Sequence, residues 1–242
     1  MQKDIRIGRI ALFVMLMLMA LGTTGCAFRT GNYRKIEKYL KAKYDYDKFT
    51  EVKPYYGKLF PDGPVYELEC KSKLHPEFPI TGVYIETTDT FYDNYMSVVY
   101  AEQFDQYVEE TILKELFGEG NYYFLKFNSD DRNLVSEYYT KDMTFEEFVP
   151  VAPSDYLIVM ADAATLTDEE AFQEALTDRM EESGIDYDRV DLYFMEPFDK
   201  AMTDGDVTQI QVKHKDVACL LKGEKTEDEF EYTWEYYTED HE

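Results

Sequence analysis

Between residues 156 and 195 the apolar positions change period twice. YLIVMA at 156–161 is apolar on both faces of an extended chain, which predicts an interior strand. Phe172, Ala175, Leu176 and Met180 then recur at helical spacing, and Val190, Leu192 and Phe194 alternate again. The expected unit is strand–helix–strand. Its helix opens on Thr167-Asp168-Glu169-Glu170, a capping-box pattern with acids at the positive end of the helix dipole, and it stops near Ser183 at Gly184.

The same reading extends in both directions. Asn32 is placed to cap a helix carrying Tyr33, Ile36, Tyr39 and Leu40. Three strand-like segments come next: an irregular one at Phe49–Phe60, broken by Pro54 and Gly57, and alternating ones at Val65–Ser72 and Ile80–Thr87. PDGP at 61–64 and HPEFP at 75–79 supply the turns. A longer helix is predicted from Asn94 to Phe117, with Val99, Phe104, Val108, Ile112 and Leu116 as its buried stripe and Gly118 as its stop.

Further on, Tyr123, Leu125 and Phe127 share one face of a strand, Leu134–Tyr139 adds another, and Thr144–Val149 is either a strand or a helical turn. Val207–His214 and Val217–Leu221 are strands. The last strand sets Phe230, Tyr232, Trp234 and Tyr236 on one side and Glu229, Glu231 and Glu235 on the other. The whole predicts an α+β domain over residues 33–242. About three helices pack on a largely antiparallel sheet, with a division into subdomains near residue 120 or at VPVAPS, 149–154. The order short helix, meander, long helix is similar to that of cystatin-like folds, without a motif that would carry a function across.

The first 26 residues have a different character. Lys3, Arg6 and Arg9 precede twelve consecutive apolar residues, Ile10–Leu21, then Gly22-Thr23-Thr24-Gly25 and Cys26. A bilayer span needs about 20 apolar residues, so this run has the length of an export signal. Thr24-Gly25-Cys26 resembles the lipobox of bacterial lipoproteins, with Thr23 standing where that family usually has Leu. The resemblance implies cleavage between Gly25 and Cys26, a lipid (palmitate among its acyl chains) on Cys26, and a short tether over 26–32. The expected address is therefore a cell membrane, reached from outside the cytoplasm, with the membrane itself as a partner through the lipid. Two or more acyl chains make such an anchor stable.

Composition narrows the readings further. The chain carries 50 acidic against 25 basic residues, a net charge of −25. Removing residues 1–25 takes away three bases and one acid and leaves −27. Such a surface repels phosphate backbones, so nucleic acid is excluded as a partner. With 16% aromatic and 45% hydrophobic residues, the chain has enough apolar area to fold. Once Cys26 is assigned to lipid, Cys70 and Cys219 remain. They either pair as a disulfide, which an oxidising compartment permits, or stay as two buried thiols.

Candidate chemistry is sparse. His75, His214 and His241 are the only histidines, and no metal-ligand spacing, nucleophile elbow or phosphate-binding glycine loop occurs. No cofactor or metal is expected. Acidic groups such as Asp130-Asp131, Asp186/Asp188/Asp191 and Asp204/Asp206 read as solvated turns. The tyrosine doublets at 55–56, 122–123, 138–139 and 236–237 suit strands that pack one ring inward and turn the other out. Tyr232, Trp234 and Tyr236 therefore form a candidate aromatic face for a protein or glycan partner. The leading expectation is a non-catalytic, surface-tethered binding module. The alternatives are a carboxylate-dependent hydrolase of envelope polymers and a structural role in the envelope.

Overall fold

The computed structural model describes residues 31–55, 59–60, 63–127, 135–152, 156–199, 216–226 and 230–237. The fold is α+β, and the chain divides into two compact units between Asp93 and Asn94. Residues 120 and 150, where the sequence suggests a break, both fall inside the second unit.

In the first unit, helix α1 (31–43) lies on an antiparallel sheet of β1 (Phe49–Tyr55), β3 (Gly63–Ser72), β4 (Pro79–Ile85) and β5 (Thr90–Asp93), in the order β1-β3-β4-β5. The two-residue β2 (Leu59–Phe60) also pairs with β3. Asn32, expected as the cap, lies inside α1 and is buried. Ile36 and Leu40, one turn apart, and Tyr44 beyond the helix are withdrawn from water together with Leu68, Cys70, Ile80 and Tyr84 from β3 and β4. Gly82 marks the closest approach of helix and sheet. A Cβ there would collide with Ile36 Cγ2 and come within 3.3 Å of Leu40 Cδ1.

β1 is bulged between Thr50 and Lys53, and Glu51 sits there at φ 52°, a conformation side chains other than glycine rarely adopt. β5 has no counterpart in the expected elements. Its four residues fall between the turn after β4 and the long helix, too few for a period to show.

The second unit opens with that helix, in three stretches: α2 (Tyr95–Val108), a π-helical turn (Glu109–Leu113) and α3 (Lys114–Phe117). Gly118, at φ 75°, ends it as expected. The buried positions are Tyr95, Met96, Ser97, Val98, Ala101, Phe104, Val108, Ile112, Leu113 and Phe117, whereas Val99 and Leu116, both expected in the stripe, are only half-buried. At Val99 the buried position is its neighbour Val98, and at Leu116 the π turn explains the change. Its i→i+5 bond from the Lys114 N–H to the Glu109 carbonyl adds one residue to the turn and rotates the side chains of α3 about the helix axis.

The sheet of this unit runs β10-β9-β8-β7-β6, with β6 (Tyr122–Phe124), β7 (Tyr156–Asp162), β8 (Arg189–Met195), β9 (Val217–Lys225) and β10 (Phe230–Tyr236). Only β7 and β8 are parallel, because α5 (Glu169–Ser183) crosses between them. Phe117, Phe172 and Phe194 meet at 5.4–6.2 Å where α3, α5 and β8 converge. The opposite face of the sheet carries Tyr123, Met160, Met195 and Val217, packed by Tyr193, Phe198 and Tyr237.

Local details differ from expectation. The N-cap of α5 is Asp168, whose Oδ1 accepts from the Ala171 N–H at 3.1 Å, and not Thr167. The capping box occurs instead at α4 (Phe145–Phe148), between Thr144 and Glu147, which settles the Thr144–Val149 segment as a helical turn. Ser136 makes an isolated bridge where the alternation predicts a strand starting at Leu134, a residue outside those described. The expected strand Val207–His214 also lies outside them.

Candidate functional site

Gly25 and Cys26 lie outside the described residues, which begin with α1 at 31, five residues after Cys26. No helix among the described residues is long and apolar enough to cross a membrane. Cys70 and Cys219 are both free thiols, buried in the cores of different units, so the disulfide reading gives way to two reduced cysteines. Burial is the main cause that pushes the Cys70 thiol up to about 12 and the Cys219 thiol up to about 11. A thiol held protonated is a poor nucleophile.

The predicted aromatic positions share one side of β10, and that side faces α5. Tyr232 lies over Gly223, its partner on β9, where a Cβ would come within 2.8 Å of the ring. Its hydroxyl accepts from Thr177 Oγ1 at 3.3 Å and lies 3.9 Å from Met180 Sδ, both on α5. Trp234 packs on Phe194 at 5.8 Å. Tyr236 is 60% exposed and donates to Glu169 Oε1 at 2.7 Å, in the first turn of α5. That bond pushes the Tyr236 phenol up to about 12. The row therefore packs on α5 at Tyr232 and on Phe194 at Trp234, both half-buried, and is exposed at Tyr236.

The other side of β10 carries Glu231, Thr233 and Glu235, the first two exposed. Lys222 Nζ donates to Glu235 Oε1 at 2.6 Å, and Tyr237 donates to the second oxygen at 3.3 Å. The hydrogen bond from Lys222 holds the Glu235 carboxyl below its usual range. On β8, Arg189 grips Asp191 with two bonds of 2.8 and 2.9 Å, which raises the guanidinium above its ordinary value. Across the strands, Arg189 stands opposite Glu224, and Glu224 opposite Glu231. The Glu231 carboxylate has no hydrogen-bond or ion-pair partner among the described residues.

Sequence reasoning missed a second constellation. Asp93 is fully buried, and its carboxylate accepts from Tyr39 Oη and Lys43 Nζ at one oxygen and Tyr44 Oη at the other, each at 2.7 Å. Burial, reinforced by the adjacent negative charge, moves both phenols above the ordinary tyrosine range. A row of rings continues from Tyr39 through Phe91 and Tyr84 to Tyr66 at successive centroid distances of 4.8, 4.7 and 6.2 Å, with Lys35 over Tyr84. The signal is present in the sequence as Tyr39, Lys43 and Tyr44 at helical spacing. Their common partner, some 50 residues away, is not predictable without β5.

The Asp93 carboxylate faces one cation and two phenols, an arrangement that neutralises a buried charge and leaves both its oxygens engaged. Among the described residues no group of three or more His, Cys, Asp or Glu side chains is arranged to hold a metal ion. No family model, curated protein or solved structure matches this chain.

Proposed function

We propose that this chain is a lipid-anchored extracytoplasmic protein whose folded part is a non-catalytic binding module that meets its partner at β10. The address rests on residues 1–26, where a basic start, a short apolar run and small residues end on Cys26. With Gly31 already in α1 only five residues beyond Cys26, such an anchor holds the first unit close to the bilayer.

The binding half of the reading rests on one observation. β10 presents Tyr236, Thr233 and Glu231 to solvent on a strand that is the last of its sheet among the described residues. The buried acid Asp93, by contrast, is committed to Lys43, Tyr39 and Tyr44.

Two measurements test this in a bacterial host. Labelled palmitate should enter the native chain and not Cys26→Ser, which should leave the membrane fraction. A Cys26→Ser chain that is still fully processed and membrane-bound would sink the anchor. A photo-crosslinking residue at position 236, exposed to intact cells, should give a discrete adduct that the same residue at the exposed position 156 does not give. Identical patterns from the two positions would remove β10 as the binding surface.

A further inference from the structure

A sheet ends in a row of unpaired backbone N–H and C=O groups, and proteins blunt such edges with bulges, prolines or short strands. Among the described residues, three of the four sheet edges are blunted. β1 carries the Glu51 bulge and Pro54, β5 has four residues and β6 has three. β10 is different. It pairs with β9 over seven consecutive residues without a register shift, contains no proline or lysine, and has no strand on its outer side among the described residues.

Charge selects what would fit there. Across one row of the sheet the side chains run Arg189 on β8, Glu224 on β9 and Glu231 on β10, so a cation is followed by two anions. Like charges directly opposite each other on adjacent strands are destabilising, and opposite charges are favourable. A basic side chain on a further strand beside Glu231 would set an opposite charge against it and offset its repulsion from Glu224.

A second copy of this chain fits poorly. Antiparallel pairing of two β10 strands about Thr233 would set Glu231 of each against Glu235 of the other, between two molecules of net charge −25.

We propose that β10 binds an extended basic segment of a partner protein by strand addition, with a lysine or arginine of that segment beside Glu231. The inference rests on the binding-module reading and specifies its partner. Backbone hydrogen bonds would supply affinity, and the side-chain positions on the acidic face would supply selectivity. Trp234, the single tryptophan of the chain, lies on β10 and reports the event directly.

The test uses the full chain in detergent and an eight-residue peptide alternating threonine and lysine, compared with the same peptide built from alternating L and D residues. The second peptide keeps the charge and cannot extend as a regular strand. The all-L peptide should shift Trp234 emission, slow amide exchange across 230–236 and bind at least about tenfold more tightly than its D,L counterpart. Glu231→Lys should weaken it about fivefold.

Equal binding of the two peptides, or binding without protection of 230–236, would reduce the contact to bulk charge and overturn the proposal. So would no binding at all, or a dimer in sedimentation that Glu231→Lys alters. The broader reading fails separately, through the crosslinking at position 236. An adduct there without strand addition leaves a binding module with a different mode.

Discussion

Asp93 holds a fully buried charge in the first unit, with both carboxylate oxygens engaged. Its charge is removed from water and met by Lys43, whose side chain is 15% exposed, and by the Tyr39 and Tyr44 hydroxyls. Removing one partner of a buried pair costs about 3–5 kcal/mol, because the other charge is left without compensation. Asp93→Ala should therefore reduce the stability measured in urea by that much, and Tyr39→Phe by about 1 kcal/mol. Equal effects of the two substitutions in urea melts would mean that Lys43 finds another counter-charge.

The two thiols give a pH prediction at the same scale. Burial raises Cys70 to about 12 and Cys219 to about 11 in the fold, against about 8.5 in the unfolded chain. Between those values the unfolded state loses protons that the folded state retains, so unfolding becomes easier as pH rises. The contribution is complete below the unfolded value and lost as pH climbs through 11 and 12. Stability should thus decline above about pH 8.5, and the decline should be smaller in Cys70→Ala. Neither thiol should react with a bulky disulfide reagent at neutral pH until the protein is unfolded. Fast labelling of either would place it outside the core.

At the scale of elements, α5 shows how a motif can be right in kind and displaced by a residue. The TDEE run marks the start of the helix, yet Asp168 holds the Ala171 amide while Thr167 precedes the cap. Asp168→Ala should cost about 1 kcal/mol and Thr167→Ala close to nothing, as thermal melts would show. The reverse order would restore Thr167 as the cap. The long helix makes a complementary point. Its apolar spacing is right at Phe104, Val108 and Ile112 and one residue late at Val99, where Val98 is buried, and the π turn at Glu109–Leu113 then replaces Leu116 with Leu113 and Phe117. A straight-helix period cannot anticipate an inserted residue. In β10 the alternation is fully legible, and which side meets α5 is not.

On the scale of the whole molecule, 50 acidic against 25 basic residues repel one another across the surface. Raising salt from about 0.01 to 0.15 M shortens the screening length from roughly 30 to 8 Å and should raise the urea midpoint. A midpoint that falls with salt would show instead that pairs such as Lys222–Glu235 and Arg189–Asp191 outweigh the repulsion. Charge also shapes the β10 proposal, because it disfavours self-association and favours a basic partner. The division at Asp93/Asn94 is a property of this scale as well. It falls at the start of a helix, without glycine, proline or a change of composition to announce it.

What this sequence determines by itself is local. Alternation and helical spacing specify α1, β3, β4, β7, α5, β8 and β10, since each depends on neighbours two to four residues apart. The layout of residues 1–26 is likewise readable from order and composition, and the proposed address rests on that layout alone. Tertiary structure alone decided the rest. Strand order, the parallel β7–β8 pair, the meeting of Asp93 with Tyr39, Lys43 and Tyr44, and the separation of Cys70 from Cys219 into two cores all depend on partners far along the chain. β10 lies between these limits. Its sequence states that one side is aromatic and the other acidic. Only the fold half-buries Tyr232 beside α5 and Trp234 against Phe194 and leaves Glu231 exposed on the other side.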